Sequence, residues 1–290
     1  MDSVQERRTL PFLLTPEQTM KMPLAGLLLA ASVLAQAQPV LPDFDAATFT
    51  PMAPVTNPYF PLLDGLTRIF ESGDGVERFE FTVLGAGPTI LGVPTTVRRD
   101  RAFEEGLLVE DTFDFFAQDT AGNVWYFGED VTNYEYDDEG KLLSTNTASS
   151  WRAGVNDAKP GFIMPADAAS KIGFHYYQEF APDDEALDEG THHALLATFE
   201  TSVQGYGNVL QVFETTAVEP DSRGFKYYAP GVGLVAEAEG LNPALQNPER
   251  TFELVKAVPE PSAAWLMSLG ALAVGAAGVV RTRRRTAAQG

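Results

Sequence analysis

From Thr67 onward the chain is written in short β-prone runs separated by turn residues, and convincing helical periodicity is scarce. Residues 107–118 alternate most cleanly. Val109, Asp111, Phe113, Phe115 and Ala117 fall on one face, and Glu110, Thr112, Asp114 and Phe116 on the other. Residues 119–123 make a turn and Val124-Trp125-Tyr126-Phe127 returns. A second hairpin is expected from 133–136 through a turn at 137–140 to Leu142-Leu143. Further strands are expected at 68–72, 77–84, 95–103, 173–180, 193–203, 209–216, 225–228, 234–239 and 251–256, with at best one helical turn at 166–169. Many strands at regular spacing predict a mainly β chain, with one antiparallel domain closed as a barrel or bent into a strongly curved sheet.

Residues 38–66 hold six prolines between Pro39 and Pro61 and read as an extended lead-in with few regular hydrogen bonds. The domain proper is expected over 67–257. The chain has no cysteine, so the core alone must hold it together. A formal net charge of −20 excludes nucleic acid as a partner and repels anionic lipid.

Both ends carry processing signals. Met20-Lys21-Met22 precedes an apolar run at 24–35 and then Ala35-Gln36-Ala37, a small-x-small cleavage site. Residues 1–37 therefore read as a secretory signal region, with Ala35 and Ala37 flanking the cut and translation starting at Met1, Met20 or Met22. The implied partners are the secretion translocon and a signal peptidase. At the other end, residues 262–280 are uncharged; at about 1.5 Å per residue they would span roughly 28 Å as a transmembrane helix. Arg281, Arg283, Arg284 and Arg285 follow as a cytoplasmic stop, which leaves everything before the span outside the inner membrane. Pro259-Glu260-Pro261 stands directly before the span and keeps the chain extended.

This order of proline-bracketed tag, apolar span and arginine cluster over residues 258–290 resembles the PEP-CTERM sorting domain. The resemblance implies processing by an exosortase, a membrane-embedded cysteine protease or transpeptidase. It also implies delivery from an inner-membrane precursor to the surface or exopolysaccharide matrix of a Gram-negative bacterium. It says nothing about the activity of the domain that carries the tail. Separately, Lys226 to Val235 resembles the closing hairpin of curved-sheet periplasmic proteins related to lipoprotein carriers, and other stretches resemble exported bacterial domains of unknown function.

Candidate chemistry in the domain stays open between alternatives. Glu110, Asp111 and Asp114 offer carboxylates for a polysaccharide hydrolase, but Glu110 and Asp114 are about 13 Å apart along one strand, so a partner from another strand is required. The same acids suit a solvated strand face. The turns at Asp119 and Asn123 and at Asp137 and Asp138 offer oxygen ligands for calcium without the full spacing of a calcium loop, and need no ion as plain turns. His175, His192 and His193 do not suit one metal site, because adjacent strand residues face opposite ways. The aromatic residues suit either a core or a sugar-binding groove. The leading expectation is a non-enzymatic structural or binding protein of the cell surface or matrix. The alternatives are a carboxylate hydrolase and a curved-sheet carrier of an apolar ligand. A filled interior, a cleft with paired carboxylates and an open apolar cavity would mark these three in turn.

Overall fold

The computed structural model describes residues 38–259. The signal region with Ala35 and Ala37, and the tail with Glu260, Pro261, the span and its arginines, lie outside the described residues. Fifteen strands form one antiparallel sheet: β1 (Leu66–Ser72), β2 (Glu77–Ile90), β3 (Val93–Glu104), β4 (Leu107–Gln118), β5 (Val124–Tyr136), β6 (Leu142–Asn146), β7 (Trp151–Arg152), β8 (Lys159–Met164), β9 (His175–Tyr177), β10 (Glu179–Phe180), β11 (Asp188–Glu200), β12 (Gly205–Thr216), β13 (Arg223–Ala229), β14 (Gly233–Glu239) and β15 (Arg250–Pro259). Helical structure among the described residues is limited to 3-10 turns at Phe44–Ala46, Ala168–Ser170 and Pro182–Asp184.

The strand order is β10-β8-β5-β4-β3-β2-β1-β15-β14-β13-β12-β11-β9, with β6 and β7 added to β5. The two ends of this path are β9 and β10, which are consecutive in the chain and separated by Gln178 alone. Residues 173–180, expected as one strand, are thus two short strands. His175 to Tyr177 pair with Thr191 to Glu189 of β11, and Glu179 and Phe180 pair with Pro160 and Lys159 of β8. One short segment joins both edges and makes the sheet a nearly closed barrel. The crossing is close: a Cβ on Gly161 of β8 would lie 2.3 Å from the Gln178 carbonyl oxygen and 2.5 Å from that of Tyr177.

Other departures from the expected pattern have local causes. The first long hairpin turns at Leu91-Gly92, whose φ angles of 49° and 83° suit a type I′ turn and the strand twist. The strands on either side extend past Pro88 and Pro94, with bulges in β2 between Val83 and Gly85 and between Ala86 and Thr89 taking up the irregularity. The pieces expected at 124–127 and 133–136 are one strand, β5. They join through Gly128 at φ 125°, where β7 approaches so closely that a Cβ would sit 2.4 Å from the Trp151 carbonyl oxygen. Opposite Phe115, β5 carries both Phe127 and Gly128. This bulge puts Tyr126 and Glu129, three residues apart, on the same face. A second bulge in β14, opposite Tyr227 and Tyr228, does the same for Leu234 and Glu237.

The lead-in packs against the barrel. Phe44 and Phe49 meet Trp125 and Phe127 on one face of β5, while Phe60 packs edge-on to Phe116, which stacks on Tyr126. Isolated bridges tie Val40 to Tyr176 and Phe49 to Asp119. The sheet reaches Pro259, which pairs with Leu66, so the first proline of the Pro-Glu-Pro tag closes the last strand.

Gly161→Ala should lower stability by about 3 kcal/mol, an overpacking cost against rigid backbone. For a domain of this size that is a drop of about 10 °C in the thermal midpoint. Gly73→Ala, at a turn glycine without a positive φ and with the Thr251 hydroxyl oxygen at 3.6 Å the nearest atom to a new Cβ, should cost much less.

Candidate functional site

Alternation along β2, β3, β4, β13 and β14 sends one set of side chains to the concave side of the barrel. Around them lies a chamber of about 230 Å³. Phe79 and Phe81 of β2, Arg98 and Asp100 of β3, and Tyr228, Leu234 and Glu237 from the facing wall line it, with Phe60 reaching in from the lead-in. A cleft of about 880 Å³ runs beside the β12–β13 and β14–β15 connections, and shares Lys226, Glu237 and Glu239 with the chamber.

The interior is charged. Arg98 makes a bidentate pair with Asp100 at 2.7 and 2.6 Å and reaches Asp114 at 3.1 Å. Its guanidinium lies 4.7 Å from the Phe81 ring centroid and 5.1 Å from that of Phe116, so aromatic faces hold what the carboxylates leave free. Tyr126 donates to Asp114 at 2.5 Å and also lies 2.9 Å from Glu129, a contact that the β5 bulge makes possible. On the facing wall Lys226 pairs with Glu214 at 2.8 Å, and Gln178, the residue at the barrel seam, donates to the same carboxylate at 2.9 Å.

These groups titrate away from their ordinary values. Burial, followed by the field of Asp114, pushes Glu129 up to about 8. Burial pushes Glu237 up to about 7, with Glu214 and Glu239 adding to the rise and Lys226 opposing it. Burial also raises Asp100 and Glu179 well above the carboxylate range, against the pull of Arg98 on the first and Lys226 on the second. Burial works against Lys226, but Glu214 and Glu237 outweigh it and raise the ammonium.

The carboxylates singled out from sequence are committed to partners. Asp111 takes a bidentate pair from Arg99 at 2.7 and 2.6 Å, Asp114 is held by Arg98 and Tyr126, and Glu110 accepts from Thr112 at 2.8 Å. Glu110 also lines the chamber. Asp119 accepts from the Asn123 backbone and side chain and from the Trp125 indole, at 2.8 to 2.9 Å, which fixes the turn. Asp137 accepts from the Lys141 backbone N–H. Among the described residues, no group of three or more acids or histidines is placed to hold a metal. His175 lies 2.7 Å from Glu189. His192 is fully buried, and burial lowers its pKa to about 4, against the opposing effect of the Lys171 backbone. Arg68, Arg98, Asp100, Lys226 and Glu237 were not legible as a site. Their alternation with apolar residues reads like an ordinary solvated face, and only barrel closure turns that face inward.

No known family model matches the chain, and no curated protein matches it. Two solved structures are similar. A protein named as exported, with a YmcC-like fold, from Bacteroides fragilis is 14% identical with a TM-score of 0.36. A protein named as a lipoprotein from Parabacteroides distasonis is 11% identical with a TM-score of 0.31. Each match covers 69% of this chain and 98% of the other. At TM-scores below 0.5 neither likeness carries an inference about function.

The raised carboxyls set the pH dependence. A carboxyl whose folded pKa exceeds its unfolded value favours folding fully below the unfolded pKa and loses that contribution as pH rises through the folded one. For Glu237 the window runs from 4.5 to about 7. Stability should therefore fall between pH 4.5 and 8.5, with most of the loss complete by about pH 7, and Glu237→Gln should remove roughly 3 kcal/mol of that loss. Urea midpoints of the two proteins at both pH values check this.

Proposed function

We propose that this chain is an exported, non-enzymatic binding protein, processed at its C-terminal tag, whose barrel interior receives a small ligand. The single observation behind the binding role is the chamber that meets an open cleft at Lys226, Glu237 and Glu239. A purely structural barrel has no need to keep charged groups around an interior space, since buried ions are costly unless paired. The hydrolase reading is less well supported. Asp111 and Asp114 are held by arginines, which gives them fixed partners and leaves neither free to act as a catalytic acid or base. The interior is also too polar for a carrier of a wholly apolar ligand.

The address rests on the sequence at both ends. A secretory signal region at 1–37, and Pro259-Glu260-Pro261 with its apolar run and arginines, support export and exosortase processing, with the surface or exopolysaccharide matrix as destination. The acidic surface suits a soluble, extracellular setting.

Two measurements test the two halves. Replacing Pro259-Glu260-Pro261 with alanines should abolish the size change and surface delivery in a host with its exosortase; unchanged processing would end the sorting half. For the chamber, hexan-1-ol should give a saturation-transfer NMR signal with the full chain in detergent. Leu234→Trp, which fills the chamber wall, should remove that signal.

A further inference from the structure

Among the described residues, two charged groups inside the barrel make no direct ion pair. Arg68 of β1 is 8% exposed, and its guanidinium makes no hydrogen bond or ion pair with any described residue. Glu237 of β14 is 9% exposed and is likewise without a hydrogen bond or a close ion pair. Their charged neighbours are already engaged: Arg98 with Asp100 and Asp114, Lys226 with Glu214, Glu239 with Arg250. A buried ion without a partner is disfavoured by several kcal/mol. Glu237 can escape by taking a proton, but an arginine cannot lose one.

The two charges face adjoining spaces. Arg68 lines a recess of about 20 Å³, and Glu237 lines the 230 Å³ chamber; Phe60, Phe81, Arg98 and Leu234 are walls of both. The recess suffices for one oxygen-sized group and no more. A carboxylate at Arg68 would seat one oxygen in the recess and leave the rest of its molecule to the adjoining chamber. The Tyr228 hydroxyl, on a side chain 2% exposed, also faces the chamber without a partner among the described residues.

Building on the ligand-chamber reading, we propose that the ligand is a small zwitterion: its carboxylate pairs with Arg68, its ammonium with Glu237, and its apolar body lies against Phe60, Phe81 and Leu234. An organic ammonium suits Glu237 better than a metal ion, because no described acids or histidines gather there as a ligand set. The ionisation of both groups agrees with their lack of partners. Burial and then the field of Arg98 lower Arg68 to about 10, while the paired Arg98 and Lys226 are raised. Glu237 sits at about 7, facing Lys226 of β13, Glu214 of β12, Glu239 of its own strand and Arg98 of β3. An arriving ammonium would displace its proton.

The test uses the full chain in detergent and calorimetry at pH 7.5, with ω-amino acids from 4-aminobutanoate to 8-aminooctanoate. Hexylamine and hexanoate are the singly charged controls. One chain length should bind best, at least tenfold tighter than either control. Arg68→Met should reduce that ligand to the level of the amine, and Glu237→Gln to the level of the carboxylate. At pH 7, binding should release about half a proton from the wild type and none from Glu237→Gln, read from the heat in buffers of different ionisation enthalpy. A singly charged control that binds as tightly overturns the proposal, as does binding indifferent to both substitutions. If hexan-1-ol occupies the chamber and no amino acid binds, the zwitterion falls and the chamber stands. If neither binds, both fall.

Discussion

Everything inside this protein depends on the contact at Gln178. The segment around it is the last stave of the barrel, hydrogen-bonded to β11 by its first half and to β8 by its second. An open sheet would leave the faces that carry Arg98, Asp100, Lys226 and Glu237 in water, where their charges need no partners. Closure removes that water and turns the same residues into a network in a low-dielectric space. Gln178 takes part in both roles, since its side chain also bonds Glu214 inside. Gly161 permits the crossing because it presents no side chain to the carbonyls passing over it.

Two bulges give the interior its chemistry. A regular strand cannot put residues three apart on one face, yet Tyr126 with Glu129, and Leu234 with Glu237, require that. In β5 the irregularity is fixed by Gly128 against β7, and in β14 by the mismatch with Tyr227 and Tyr228. The result is uneven. One wall is a saturated cluster centred on Arg98, with every nearby carboxyl engaged or raised. The facing wall leaves Glu237 unpaired beside a space that opens to solvent through the cleft.

The architecture was legible in the sequence wherever alternation and turn chemistry agree. Residues 107–118 fall where the pattern puts them, and the hairpin at 137–140 is formed. The joins were less legible. Gly128 hides a continuous strand behind a break in pattern, and Pro88 and Pro94 argue against strands that bulges in fact allow. The short pairings at 151–152 and 159–164 carry too little alternation to stand out. The interior charges were illegible for a different reason. A period of two says which residues share a face but not whether that face meets solvent, and that depends on a seam between residues distant in sequence.

The last strand to be synthesised occupies the middle of the wall. β15 lies between β1 and β14, so Leu66 finds its partner only when Pro259 is available. Neither half of the sheet can be completed early, because β1 and β14 each keep an unpaired edge until the end of the domain arrives. Such long-range pairing slows closure of the barrel, which waits until the whole domain is present. That delay suits the proposed export route, because the barrel cannot close before β15 is available.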